Sequence, residues 1–270
     1  MSKQVESVSA VLKVFSILQE LSQCQTASLS ELETSLMMSK STIYRFLQTM
    51  QTLGYVEQEA ETERYYLTLE LFHVGARALY HTDIQRIANP IMKRIVSQTS
   101  ETVHLGELDK DSIIYTHKVE SNYSLRMGSQ IGRRADIYST AMGKILTAFS
   151  TEGEEVAEAL KARPFVKHTE KTLNNFGEFM EQVDLTKRTG YAYDREENEP
   201  NLLCIAVPVF DFLEQAIASM SMSFPTFRCD DEKYAHYHEI MKQASIELST
   251  KLGSKTIANV FAEPADLKIA

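Results

Sequence analysis

The hydrophobic period changes once in the first seventy residues, and that change limits the folds open to the chain. Val8, Val11, Leu12, Phe15, Leu18 and Leu21 recur at spacings of three and four, which predicts an amphipathic helix over Val8 to Leu21. Ser28 or Ser30 can cap a short second helix running to about Leu36, with Glu31 and Glu33 in its first turn at the positive end of the dipole. Ser39 or Ser41 caps a third helix, in which Ile43, Phe46, Leu47 and Met50 face inward while Lys40, Thr42, Tyr44, Arg45 and Gln48 stay outside. Gly54, which accepts a positive φ, ends it. The pattern then becomes strand-like: Tyr55 to Gln58 and Arg64 to Leu69 flank the charged run Glu59 to Glu63, the signature of a hairpin. Helix, helix, helix, hairpin is the layout of a winged helix-turn-helix, whose third helix enters the major groove of DNA.

The remaining chain is long enough for a second, larger domain. A helical pattern over Leu71 to Tyr80 links the two. Beyond it, helices are expected near Ile84 to Thr99, from about Ser139, near Glu152 to Lys161 and Phe176 to Thr189, and from Asp230 to Leu252. Strands are expected at Thr102 to Leu108, Ser112 to Val119, Leu202 to Phe210 and Ala216 to Phe224. Closely spaced strands, twice over, argue for an antiparallel sheet flanked by helices, an α+β architecture. The expected division is residues 1–70 for the winged helix-turn-helix, 71–83 for the linker helix, 84–253 for the second domain and 254–270 for a tail.

No run of apolar residues approaches the roughly 18 to 20 that a bilayer span needs, and Met1 to Glu6 lacks the core of a signal peptide, so a cytoplasmic protein is expected. Cys24, Cys204 and Cys229 are odd in number and far apart, which suits reduced thiols. Neither a cofactor nor a metal is expected; His236 and His238 stand two apart on a helix and so point to different faces. Cys204 with His104 or His117 would be the only imaginable nucleophile and base, and no motif places them together, so the chain is not expected to be an enzyme.

Net charge argues against a nucleic-acid partner. It is −9 overall, and residues 1–75 carry five Lys and Arg against nine Glu. Placement argues the other way, because no acid stands between Ser35 and Gln51 although carboxylates flank that window on both sides. Hydroxyls and N–H groups at Ser39, Ser41 and Thr42 suit phosphate oxygens at a helix N-terminus, and Lys40 adds a mobile cation. Arg45 can read guanine in bidentate fashion, and Tyr44 shares its exposed face. These six residues are the candidate contacts to double-stranded operator DNA; the alternative is that the serines only cap and the basic groups decorate a solvated face. Glu57, Glu59, Glu61 and Glu63 would repel phosphate, so the wing is expected to turn outward or contribute little.

Val8 to Phe15, Ser39 to Leu47 and Leu53-Gly54-Tyr55-Val56, together with Tyr138 to Lys144, Gly190 to Asp194 and Cys204 to Phe210, resemble the IclR family of bacterial regulators. The resemblance runs from residue 5 to 253. It implies a GAF-like effector domain, homodimers that can pair into tetramers, and repression of sugar-acid (pectin and hexuronate) catabolic genes under a small carboxylate such as 2-keto-3-deoxygluconate. Another keto-acid or sugar pathway, or a metabolite sensor that does not bind DNA, are the alternatives. Effector roles are implied for Met127, Ala141, Met142, Gly143, Asp194, Leu202, Cys204, Ser221 and Ser223.

The chemistry of these positions is consistent with such a role. Ser139 to Lys144 opens a helix with small residues, which lets an anion approach free N–H groups. Ser221 and Ser223 alternate with Met220, Met222 and Phe224, so both hydroxyls share one face of a strand. An ionised Asp194 would accept hydrogen bonds from sugar-acid hydroxyls, and Cys204 is either a ligand contact or a small buried hydrophobe. Arg133 and Arg134 can pair with surface acids, touch a partner subunit or reach an anionic ligand; the first is the expectation.

Overall fold

The computed structural model describes residues 8–80, 84–123 and 128–261, with backbone alone at 75–80, and the chain divides into two compact units, Met1–Thr82 and Asp83–Ala270. The first unit contains α1 (Ser9–Gln23), α2 (Leu29–Leu36), α3 (Lys40–Thr52), the antiparallel pair β1 (Val56–Gln58) and β2 (Tyr65–Leu67), and α4 (Leu69–Tyr80). Its core joins Ile17 and Leu21 of α1, Leu32 of α2, Ile43, Leu47 and Met50 of α3, and Val56 and Tyr65 of the hairpin. Burying each such side chain is worth roughly 1.5–3 kcal/mol.

Local signals end these helices where the residue types predict. Ser28 caps α2: its hydroxyl accepts the Glu31 N–H while the Glu31 carboxylate accepts the Ser28 N–H, a complete capping box. Met37 then takes a left-handed conformation, φ 51°, in the turn between α2 and α3. Gly54 follows α3 at φ +80°, as its type allows.

The first helix departs from the sequence expectation. Ile17 and Leu21 are buried with Val14 and Leu18 packed beside them, whereas Val8, Val11, Leu12 and Phe15 are all more than half exposed. The helix carries apolar residues on two faces, and a spacing of three and four can be threaded through either. Only one face can meet the three-helix core.

The second unit contains α5 (Ile84–Thr99), β3 (Thr102–Asp109), β4 (Ser112–Val119), β5 (Arg134–Asp136), α6 (Ala141–Phe149), α7 (Gly153–Lys161), α8 (Phe176–Thr189), β6 (Ala192–Arg195), β7 (Leu202–Phe210), β8 (Ala216–Pro225) and α9 (Asp231–Lys251). The strands form one antiparallel sheet in the order β5-β4-β3-β8-β7-β6. Alternation sends Val103, Leu105, Leu203, Ile205, Met220, Met222 and Phe224 to the face covered by α5 and α9. The other face, with Ala192 and Ala206, packs with α6, α7 and α8. The sequence expectation omitted β5 and β6, which hold only three and four residues and include Arg and Asp. They are strands because a longer neighbour offers them a ladder. Among the described residues no helix is long and apolar enough to cross a membrane.

Candidate functional site

The two sheet faces differ in chemistry because strand register stacks like with like. Asp194 on β6 lies opposite Cys204 on β7, Cys204 opposite Ser223 on β8, and Ser223 opposite Thr102 on β3. The adjacent row runs Ala192, Ala206, Ser221, His104 and Lys118. One polar row therefore lies beside a row that begins with two alanines, and the small side chains leave room above the sheet. That room is a cavity of about 610 Å³, whose lining includes Asp194, Leu202, Cys204, Ser221, Ser223, Ala141 and Met142.

Helix α6 supplies the opposite wall. Thr140 caps it, accepting the Gly143 N–H at 3.2 Å and donating its hydroxyl proton to the Asp136 carbonyl at 3.0 Å. The capping bond leaves the N–H groups of Ala141 and Met142 as first-turn donors beside the cavity. Gly143 itself does not line the space. A Cβ there would stand 2.0 Å from the Ile137 carbonyl oxygen, so its smallness lets the helix start lie against the backbone that precedes it. Met127 lies outside the described residues.

Beneath α6, a buried ion pair anchors the site. Lys144 is wholly buried; its Nζ donates to both carboxylate oxygens of Glu197 at 2.7 Å and to the Tyr193 carbonyl at 2.6 Å. The Glu197 N–H in turn donates to Asp194 Oδ1 at 2.7 Å, and the Asn198 N–H does so at 3.3 Å. Cys204 Sγ stands 3.8 Å from Asp194 Oδ2 and 3.1 Å from the Ser223 hydroxyl. Burial, and then the charge of Glu197, raise the Asp194 carboxyl to about 7. Burial and the neighbouring Asp194 push the Cys204 thiol well up, so it is a thiol and not a nucleophilic thiolate.

Residues outside the implied effector set complete the cavity. His104 is buried on its wall, its Nε2 2.7 Å from the Ser129 hydroxyl; burial and the charge of Lys118 lower it to about 3, so the ring is neutral at physiological pH. Its position was accessible from alternation, since Thr102 and His104 alternate with the apolar Val103 and Leu105. Arg134 pairs with Asp109, and the Arg133 guanidinium rests on the Gly128 carbonyl; both arginines line the cavity. His117 bonds to Asn89, away from Cys204. His238 is buried against Tyr193 and Tyr234 while His236 is exposed.

In the first unit, Ser39, Lys40, Ser41, Tyr44 and Arg45 are exposed on α3 and Thr42 is half-buried. Ser39 occupies the cap position without bonding a helix N–H; its hydroxyl instead meets those of Ser41 at 3.2 Å and Thr42 at 2.9 Å. Lys40 is not the unattached cation expected from the acid-free window, because Glu33 of α2 folds to 3.6 Å from its ammonium. Arg45 has no carboxylate partner among the described residues. The wing's one cation, Arg64, is turned inward: it holds the Thr26 hydroxyl and carbonyl and the Glu31 carboxylate, tying β2 to the start of α2. Glu57 accepts the Tyr66 hydroxyl at 2.6 Å.

Two family models match the chain: the IclR helix-turn-helix domain over residues 10–60 and the bacterial transcriptional regulator IclR C-terminal domain over residues 76–250. The HTH-type transcriptional regulator KdgR of Escherichia coli is 47% identical over 94% of this chain and 96% of that protein. The KdgR of Dickeya chrysanthemi is 48% identical over 94% of this chain and 83% of that protein. Among solved structures, the Thermotoga maritima IclR is 32% identical with a TM-score of 0.60, covering 90% of this chain and 98% of that one.

Proposed function

Because the chain belongs to the IclR family of bacterial transcriptional regulators, we propose that it acts in the cytoplasm as a repressor of sugar-acid catabolic genes, its operator affinity set by a small carboxylate. The observation that carries this is the cavity floor, where hydroxyls, a thiol and free helix N–H groups converge on a space large enough for a six-carbon acid. Likeness to the KdgR regulators supports 2-keto-3-deoxygluconate as the effector to try first. A ligand held there changes DNA affinity only if it binds the DNA-competent and incompetent arrangements differently.

The test is binding to the chain's own upstream DNA across a salt series, with and without 2-keto-3-deoxygluconate. Affinity should fall steeply with salt and change with the ligand. Arg45→Ala should relax preference at one base position by about 1–3 kcal/mol, and Lys40→Ala should weaken all sequences alike while reducing the salt slope by about 1. Absence of sequence preference at every salt concentration would leave a sensor that does not read DNA.

The exposed face of α1 supports a homodimer. Val8, Val11, Leu12 and Phe15 form an apolar strip on one side of a helix, and a second copy of the chain presents the same strip for self-complementary packing. Phe15→Glu should therefore halve the mass measured by sedimentation velocity. An unchanged mass would place the subunit contact elsewhere.

A further inference from the structure

Asp194 is a buried carboxyl in the cavity lining, and its two oxygens are not equivalent. Oδ1 accepts two backbone N–H groups, from Glu197 and Asn198. Among the described residues, Oδ2 has only the Cys204 sulfur at 3.8 Å, a long and weak contact. The nearby Lys144 ammonium only partly offsets its charge, since both oxygens of Glu197 and the Tyr193 carbonyl take its hydrogen bonds. Register places Asp194 at the end of the row formed by Cys204 and Ser223. An anion resting on that row would bring a second carboxylate against an ionised Asp194 in a site of low dielectric. Two such charges do not both persist; one of the pair takes a proton.

Resting on the effector role proposed above, we propose that an anionic effector enters this cavity together with one proton, which resides on Oδ2 of Asp194 and makes that oxygen a donor to the ligand. This reverses the role expected from the sequence, in which Asp194 accepts from hydroxyls. Facing Asp194 are Lys144 of α6, Glu197 of the following loop, Cys204 of β7 and Tyr115 of β4, and the same cavity holds His104, Asp111, Arg133, Arg134, Asp136, Arg163, His168 and Glu199. Lys144 and Glu197 are committed to each other, His168 to Asp136, Arg163 to Asp111 and Arg134 to Asp109. Cys204 and Tyr115 stay protonated because burial raises both, and His104 is held neutral by burial and Lys118. Asp194, raised to about 7, exchanges a proton near neutrality.

The sign follows directly. Below pH 7 the proton is already present and affinity is flat; above it each bound ligand must draw a proton from solvent, and affinity falls about tenfold per pH unit. Isothermal titration of the full chain with 2-keto-3-deoxygluconate at pH 8, in phosphate and in Tris, reads the number of protons taken up from the difference in buffer ionisation heats. The expected count is close to one for the wild type, with Kd weakening about 50-fold between pH 7 and pH 9. Asp194→Asn keeps the Oδ1 acceptor and places an NH2 donor where the proton sits, so it should bind with no proton uptake and no pH dependence. Binding by the wild type without proton uptake overturns the inference while leaving the effector site intact, as does full uptake in Asp194→Asn. No binding at any pH from 5.5 to 9 overturns the effector role itself, and the inference with it.

Discussion

Gly143→Ala is expected to lower the melting temperature of the second unit by about 10 °C, the consequence of a single methyl group. The added Cβ would stand 2.0 Å from the carbonyl oxygen of Ile137 and 2.5 Å from its Cα, both backbone atoms that cannot rotate away. The first turn of α6 must therefore move off the chain that leads into it, opening the Thr140 cap and shifting Ile145 and Leu146 from the core they share with Phe179 and Val183. Overpacking of this kind costs roughly 3 kcal/mol at the upper end of its range. In a domain of this size each kcal/mol is worth about 2–4 °C. Differential scanning calorimetry of the full chain measures it, with Gly128→Ala as the control because nothing lies within 4 Å of a Cβ there. A Gly143→Ala protein that melts with the wild type would show that the helix start is not packed against Ile137.

Lys144→Met should be destabilising by about 3–5 kcal/mol, because it leaves the Glu197 carboxylate buried without its cation. The loss reaches the ligand site as well, since the Glu197 N–H holds Asp194 Oδ1. Two buried charges cost several kcal/mol each in desolvation, so the pair as a whole adds little stability; its removal one member at a time is what is expensive. The double variant Lys144→Met with Glu197→Gln should therefore recover much of the loss, a positive coupling in the mutant cycle. Calorimetric melting of the wild type, both single variants and the double variant checks this. A Lys144→Met protein within about 0.5 kcal/mol of wild type, the range of an exposed pair, would mean that water reaches the ammonium.

These two neighbours also mark how far the sequence could be read. The small-residue segment at this helix start that contains Gly143 does face the cavity. Which of its members face the cavity depended on the helix's rotation, and Ala141 and Met142 do so while Gly143 meets Ile137. Lys144 and Glu197 are 53 residues apart, so no local pattern joins them.

Periodicity alone determined the helices and the longer strands, the placement of the third helix and the polar face of β8, because these depend on side chains within a turn or two of one another. The single acid-free window on α3 was also legible, as was Gly54 at its end. Tertiary structure decided the rest through contacts distant in sequence. The choice between the two apolar faces of α1 depended on where α2 and α3 pack, and the pairing of Lys40 depended on Glu33 folding back from another helix. Register did the same for the cavity, since one step of slippage on β7 would turn Cys204 away from Asp194 and Ser223. The charge state of Asp194 is likewise a property of the assembled site, because burial, not residue type, moves its proton into the neutral range.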